Sequence, residues 1–464
     1  MRGSAGDILG ANAPGSELGT DPKPNTMTDQ TPVDSAAGEK RISLYKGKIN
    51  AAGSVDPNRR TSPLEIVRKD VADAMNSKNL AFLLGSGCSS ALDADGKELG
   101  IPTMQPMAKA FVDEEYADLE VTEEDKAKLR DVLGIDLGQL KFASNLERLM
   151  EVLYGSRFVL AESAREDLKE AASAVDHVIE TVKRYVFQVC WSGQLIDPDR
   201  TVLRTYERFY RRLAQRDRAL PRPWVFTTNY DLFNETAMDR LGVPYINGFQ
   251  GSIERRFNPA SFRYTLAEQL DISSRKWSSL DSLVYFAKLH GSLSWQSTDE
   301  GLFPVVESKP DTSNLDYERM LIYPTPAKQN ASFAAPYSDM FRELQNRVAR
   351  EQSALITLGY SFGDEHVNNI IFQALTIPTF RLVAFVDPHA NETVLSLLDL
   401  DDPRVWIIGT EEDGARWKGH YFANFVDDIM PTSGEDPTDS AIERVLRQFM
   451  HEGPASSAAG TEVE

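Results

Sequence analysis

Six short apolar runs punctuate the middle of the chain: Leu80 to Leu84, Trp224 to Phe226, Ser282 to Leu289, Ala354 to Leu358, Arg381 to Val386 and Val405 to Ile408. Runs this short, rich in Val, Ile, Leu and Phe, fit strands buried on both faces of a sheet. Segments with helical spacing lie between them, as at Leu146, Leu149, Met150 and Leu153, which share one helix face. Alternation of the two predicts an α/β fold with a largely parallel sheet. A mostly helical stretch, about 113–220, separates the first two strands. It reads as a large insertion or subdomain, serving either as a lid over a site or as an assembly surface.

The ends of the chain read differently. Residues 1–60 are rich in Gly, Ala, Ser, Pro, Asn and Asp, so a mostly disordered segment is expected, with local docking around Ile42, Ser43, Leu44 and Tyr45. One domain is expected over 61–430, followed by a tail over 431–464 with a short helix near Ile442 to Met450. No internal repeat is visible.

Composition narrows the class. With 464 residues, 41% of them hydrophobic, the chain can bury one large core or two smaller ones. No long apolar run suits a membrane span, and the start lacks a basic-then-apolar signal, so the expected location is cytoplasmic. Two cysteines, Cys88 and Cys190, cannot furnish a four-cysteine zinc site, and no metal or zinc is expected. A net charge of −20 disfavours non-specific nucleic-acid binding. One basic cluster (Arg204, Arg208, Arg211, Arg212, Arg216 and Arg218) fits a solvated helix face or a local patch.

The candidate chemistry sits at strand ends, where open α/β sheets place ligands. After the first strand comes Gly85-Ser86-Gly87-Cys88-Ser89-Ser90. Its glycines let backbone approach a ligand, and its amides at a helix start suit a pyrophosphate; an ordinary tight turn fits too. The second strand runs into Thr227-Thr228-Asn229-Tyr230-Asp231, where Asn229 or Asp231 could equally cap the next helix. The third ends at Leu289-His290-Gly291-Ser292, with His290 among small polar residues, catalytic or structural. The fourth gives Gly359-Tyr360-Ser361-Phe362-Gly363-Asp364, with Asp364 a possible cap and His366 a supporting residue. The fifth gives Val386-Asp387-Pro388, where Asp387 suits a ribose hydroxyl or a turn.

Taken in order, these motifs resemble the sirtuin-like (silent information regulator) family over roughly residues 65–425. The resemblance implies a Rossmann-like fold that binds NAD as substrate, with Asn229 and His290 catalytic. Gly85, Ser86, Gly87, Cys88, Ser89, Thr228, Asp231, Gly291, Gly359, Ser361 and Asp387 would then bind the dinucleotide. The Thr-Thr-Asn-Tyr-Asp and Leu-Gly-Tyr-Ser-Phe-Gly-Asp forms look most like bacterial antiphage NADases. Two departures from the deacylases point the same way: the zinc cysteines are missing, and Gly100-Ile101-Pro102 lacks the Phe-Arg that usually follows.

The resulting expectation is an NAD glycohydrolase that releases nicotinamide and ADP-ribose. A non-catalytic NAD or ADP-ribose-binding regulatory subunit is the alternative; deacylation and nucleic-acid cleavage rank behind. Because an unregulated NADase depletes its own cell, control by homo-oligomerisation or by a partner is expected. The resemblance suggests an ATPase of the HerA helicase type as that partner.

Overall fold

The structure, a computed structural model, describes residues 40–53, 61–93, 95–113, 119, 121–161, 165–195, 200–271, 276–298, 305–310, 320–322, 335–411 and 417–432. The expected disorder up to residue 39 and the expected helix near Ile442 lie outside the described residues.

The first elements are β1 (Ser43–Lys46), β2 (Ile49–Asn50) and α1 (Pro63–Met75). Helix α1 begins with a reciprocal cap: Ser62 Oγ accepts from Glu65 N, and Glu65 accepts from Ser62 N, with Pro63 opening the helix. Next come β3 (Asn79–Leu84), one turn of 3-10 helix at Ser86–Cys88, and a hairpin of β4 (Ser90–Leu92) and β5 (Glu98–Gly100). The helical stretch comprises α2 (Met104–Val112), α3 (Glu123–Leu133), α4 (Leu140–Ala143), α5 (Leu146–Ala161), α6 (Glu166–Leu195) and α7 (Thr201–Ala214). After β6 (Trp224–Thr227) and α8 (Phe233–Leu241) come β7 (Tyr245–Ile246), β8 (Phe249–Gln250), β9 (Arg255–Phe257), β10 (Ala267–Asp271) and β11 (Lys276–Ser279). Then follow β12 (Val284–Lys288), β13 (Gly291–Ser297), β14 (Val305–Glu307), β15 (Met320–Ile322) and α9 (Tyr337–Val348). The last elements are β16 (Ser353–Leu358), α10 (Glu365–Ala374), β17 (Arg381–Phe385), α11 (Glu392–Asp399), β18 (Val405–Gly409) and α12 (Phe422–Asn424), which runs into a π-helical turn at Phe425–Ile429.

The main sheet has the order β2-β1-β18-β17-β16-β3-β6-β12-β7. From β18 to β7 all neighbours pair in parallel, and β1 and β2 add an antiparallel edge. The fold is Rossmann-like, and all six strands expected from the apolar runs are in this sheet. From β3 the chain builds outward through β6 and β12, then returns to the other side of β3 with β16. Loops leaving β3 and β16 therefore diverge at one point, the switch position where such sheets open a crevice.

Side chains alternate across the sheet: Phe82 and Leu84 enter one core, Ala81 and Leu83 the other. The first core also takes the apolar faces of α5, α6 and α7, including Leu149, Leu153, Val178 and Phe209. The opposite face of α7 carries Arg204, Arg208, Arg211 and Arg212 of the basic cluster, with Arg216 and Arg218 just past its end, and much of the cluster is already engaged, Arg218 by Asp281 at 3.2 Å. Arg208 grips the Asp427 carboxylate at 2.7 and 3.1 Å, Arg212 donates to the carbonyls of Val426 and Met430, and Arg216 to those of Met75, Ser77 and Pro221.

The sequence pattern does not anticipate the second, antiparallel sheet, ordered β15-β13-β14-β9-β8, or the β10–β11 hairpin. Those strands are short and mix charge with apolar residues, as at Arg255 and Glu307, which pair at 2.8 Å. Pairing with sequence-distant partners, not local pattern, makes them strands. Among the described residues no helix is long and apolar enough to cross a membrane.

Candidate functional site

A cavity of about 190 Å3 opens at the switch point. Its floor is the loops after β3, β6, β12 and β16; its other wall is the helical layer, through Met104 and Met107 of α2, Glu147 and Met150 of α5, and Lys183 of α6. Of the site residues expected from sequence, Ser86, Ser89, Thr228, Asn229, Asp231, His290, Gly359 and Ser361 line it. Gly85, Gly87, Cys88, Gly291 and Asp387 do not.

The glycine loop departs from its expected role. Ser86–Cys88 within it form a single turn of 3-10 helix, and a strand comes next, so no long helix offers its amino end. The amides of Gly87, Cys88 and Ser89 donate to the carbonyls of Gly359, Gly85 and Ser86 at 3.0 Å each. Its glycines are needed because the loops after β3 and β16 touch backbone to backbone. A Cβ on Gly85 would sit 2.4 Å from Gly359 O, and one on Gly359 would sit 2.5 Å from Cys88 N. Cys88 points inward, its thiol donating to Leu358 O at 3.2 Å, and burial raises its pKa well above the ordinary thiol value.

The loop after β16 has the freer amides. Gly359 and Phe362 both take positive φ, 59° each, and among the described residues the N–H groups of Ser361, Phe362 and Gly363 have no hydrogen-bond acceptor. Successive unsatisfied amides beside a cavity make an anion-binding concavity. That role, expected of the loop after β3, fits this one better.

Asn229 is 7% exposed and held by its amide nitrogen, which donates to Gly85 O at 2.9 Å and Ser89 Oγ at 2.8 Å. Ser89 in turn donates to Asp231 Oδ2 at 2.6 Å, and Asp231 Oδ1 accepts from Phe233 N at 3.0 Å. Asp231 thus divides its oxygens: Oδ1 meets the first amide of α8, whose cap position is Leu232, and Oδ2 joins the network around Asn229. With both donors of the Asn229 amide used, its Oδ1 is the atom left to accept.

His290 ends the turn after β12, and Gly291 follows at φ 97°, a conformation that favours glycine. His290 Nε2 lies 2.8 Å from Asp364 Oδ2, and Nδ1 lies 3.8 Å from Glu147 Oε1. Asp364 does cap α10, accepting from His366 N and Val367 N through Oδ1, while Oδ2 faces His290. Sequence reasoning recognised the cap and missed the histidine contact. Glu147 it missed altogether, because it sits within an apolar helical pattern that reads as core. Asp387 caps its own turn, accepting from His389 N at 2.9 Å, outside the cavity.

Beneath the floor lies a buried ion pair that sequence reasoning also missed. Lys288, 1% exposed, meets Glu235 Oε1 at 2.8 Å. Burial pushes the Glu235 carboxyl up to about 7, against the pull of Lys288. A lysine inside an otherwise apolar strand was the available signal.

A family model described as the SIR2-like domain matches residues 223–393, well under half of the chain. The matched stretch holds Asn229, His290 and Asp364 but neither the loop after β3 nor the helical layer. No curated protein sequence matches the chain. Among the described residues no cluster of three His, Cys, Asp or Glu is placed to hold a metal.

Proposed function

We propose that this chain, which carries a SIR2-like domain over residues 223–393, hydrolyses NAD to nicotinamide and ADP-ribose. The observation that carries the reading is the convergence of Asn229, His290, Asp364 and the free amides after β16 on one cavity at the sheet's switch point. A SIR2-like domain fits NAD use in general. The choice of hydrolysis over acyl transfer rests on the sequence, whose two cysteines cannot supply the four zinc ligands of the deacylases.

Nicotinamide leaves the ribose neutral, keeping the electron pair of the broken C–N bond. The site therefore needs no strong acid; it must hold the sugar while positive charge develops at the anomeric carbon. Asn229 Oδ1 accepts from a ribose hydroxyl or from the attacking water. The water oxygen forms the new bond to carbon, and His290, aligned by Asp364, takes the released proton. The amides of Ser361 to Gly363 hold the pyrophosphate, and fixing the reactants in place accounts for much of the acceleration. Met104, Met107 and Met150 give the cavity an apolar wall that limits bulk water.

We place the activity in the cytoplasm, in antiphage defence by NAD depletion, restrained by self-assembly or by a HerA-type ATPase partner. The deciding assay is nicotinamide release from NAD by the wild type, Asn229→Ala and His290→Ala proteins. Release that disappears in both folded variants supports the reading. Saturable NAD binding without release, with any co-purifying partner present, replaces it with a regulatory NAD sensor.

A further inference from the structure

The loops that carry Asn229 and His290 leave different strands, and neither side chain bonds to the other. Something must hold their spacing. Beneath them Lys288 Nζ donates to Ser292 Oγ at 3.0 Å, to Glu235 Oε1 at 2.8 Å, to Tyr230 O at 3.3 Å and to Asp231 O. Tyr230 and Asp231 directly follow Asn229, whereas Lys288 and Ser292 lie two residues either side of His290. One ammonium thus spans both segments from below. Two backbone bonds work alongside it, Leu289 N to Thr227 O at 2.8 Å and Leu293 N to Tyr230 O at 3.0 Å.

We propose that Lys288 is a positioning residue of the cavity: its buried ammonium locks the Asn229 loop to the His290 turn, and Glu235 is the counter-charge that keeps it there. This rests on the reading of Asn229 and His290 as the reacting pair. A lysine suits the task because its three donors radiate from one atom, so one side chain meets acceptors on β13, α8 and the Asn229 loop together. A buried ammonium in a purely structural role needs a counter-ion. It also needs acceptors for all three of its donors, and here two of the acceptors are main-chain carbonyls of the loop that carries Asn229.

The test separates holding the fold from holding the geometry. Lys288→Met alone strands the Glu235 carboxylate in the core, so Lys288→Met is combined with Glu235→Leu, which removes both charges at similar volume. The double variant is expected to keep the wild-type circular dichroism spectrum, with kcat for nicotinamide release down by about tenfold or more and KM within about threefold. Ser292→Ala, which removes one tether at little cost in volume, is expected to lower kcat by about threefold on the same measure. In parallel, the side-chain amide resonances of Asn229 are followed by NMR; they are expected to shift in both variants. A folded double variant with wild-type kcat, or unmoved Asn229 resonances, overturns the proposal. Should the wild type release no nicotinamide, hydrolysis fails as the function, and the Asn229 resonances still decide the role of Lys288.

Discussion

Replacing Gly359 with alanine probes the contact on which the cavity floor depends. Two costs add. A non-glycine residue at φ 59° pays about 1–2 kcal/mol for its left-handed backbone. The new Cβ would also lie 2.5 Å from Cys88 N and 2.7 Å from Gly87 C, both main-chain atoms that cannot rotate away. Parting two packed loops to relieve such an overlap costs about 1–3 kcal/mol, so the whole loss is about 2–5 kcal/mol. Gly134→Ala is the matched control: φ is 67° at the end of α3, and nothing lies within 4 Å of its Cβ position. It carries the first cost alone, about 1–2 kcal/mol. The assay is urea unfolding followed by far-ultraviolet circular dichroism, with the slopes compared so that only midpoints differ. Parting the loops should also shift Ser89 from Asn229, so Gly359→Ala is expected to lose NAD cleavage. Equal stability losses in the two variants would mean that the loop contact is not tight, and the account of the glycines would be wrong.

Other perturbations test the electrostatics. The Glu235 carboxyl, raised to about 7 in the folded chain, keeps its proton where the unfolded chain releases it. Its contribution is thus lost as pH rises from the ordinary carboxylate range through 7, by at most about 3 kcal/mol, and Glu235→Gln should flatten that fall in a stability–pH series. Burial lowers His420 to about 4, so its contribution is present above the ordinary histidine range and is lost as pH falls toward 4. In His420→Asn the acid-side loss should shrink, again by at most about 3 kcal/mol, measured as the shift in urea midpoint between neutral and acid buffers. Asp364→Asn keeps a capping oxygen for α10 but removes the charge beside His290. It should leave the thermal midpoint nearly unchanged while cutting nicotinamide release by about tenfold or more, and wild-type turnover would remove Asp364 from the mechanism. Arg208→Ala breaks a partly exposed pair with Asp427, so its cost should be no more than about 1 kcal/mol and should shrink in high salt.

Six of the nine strands of the main sheet were legible because burial on both faces forces runs of Val, Ile, Leu and Phe, and such runs stand out without any partner in view. The place of Asn229 and His290 beside the cavity was legible for a related reason: polar residues placed directly after buried strands mark the sheet edge where such crevices open. What could not be read depends on contacts between distant segments. The glycines after β3 looked like a ligand cradle until the loop after β16 was seen to fill the space against them. Asp364 looked like a cap because capping is local, whereas its second oxygen meets a histidine that follows a different strand. Glu147 carries no local signal, since only the fold of the helical layer onto the sheet brings it to His290. The second sheet was hidden because its strands are two to seven residues long and owe their form to partners.

Strand β1 pairs with β18 in the register Ser43 to Gly409, and Ser43 Oγ donates to Gly409 O across 366 residues of chain. This has a consequence during synthesis. At about 5–20 residues per second, roughly 20–70 s separate the emergence of the two strands from the ribosome. For that interval β1 has only the two-residue β2 beside it, and its other edge stays open next to Ile42 and Leu44, side chains that end in the core. The last strand is also the one that shields the first, so truncated or stalled chains are expected to expose an adhesive edge that the finished protein conceals.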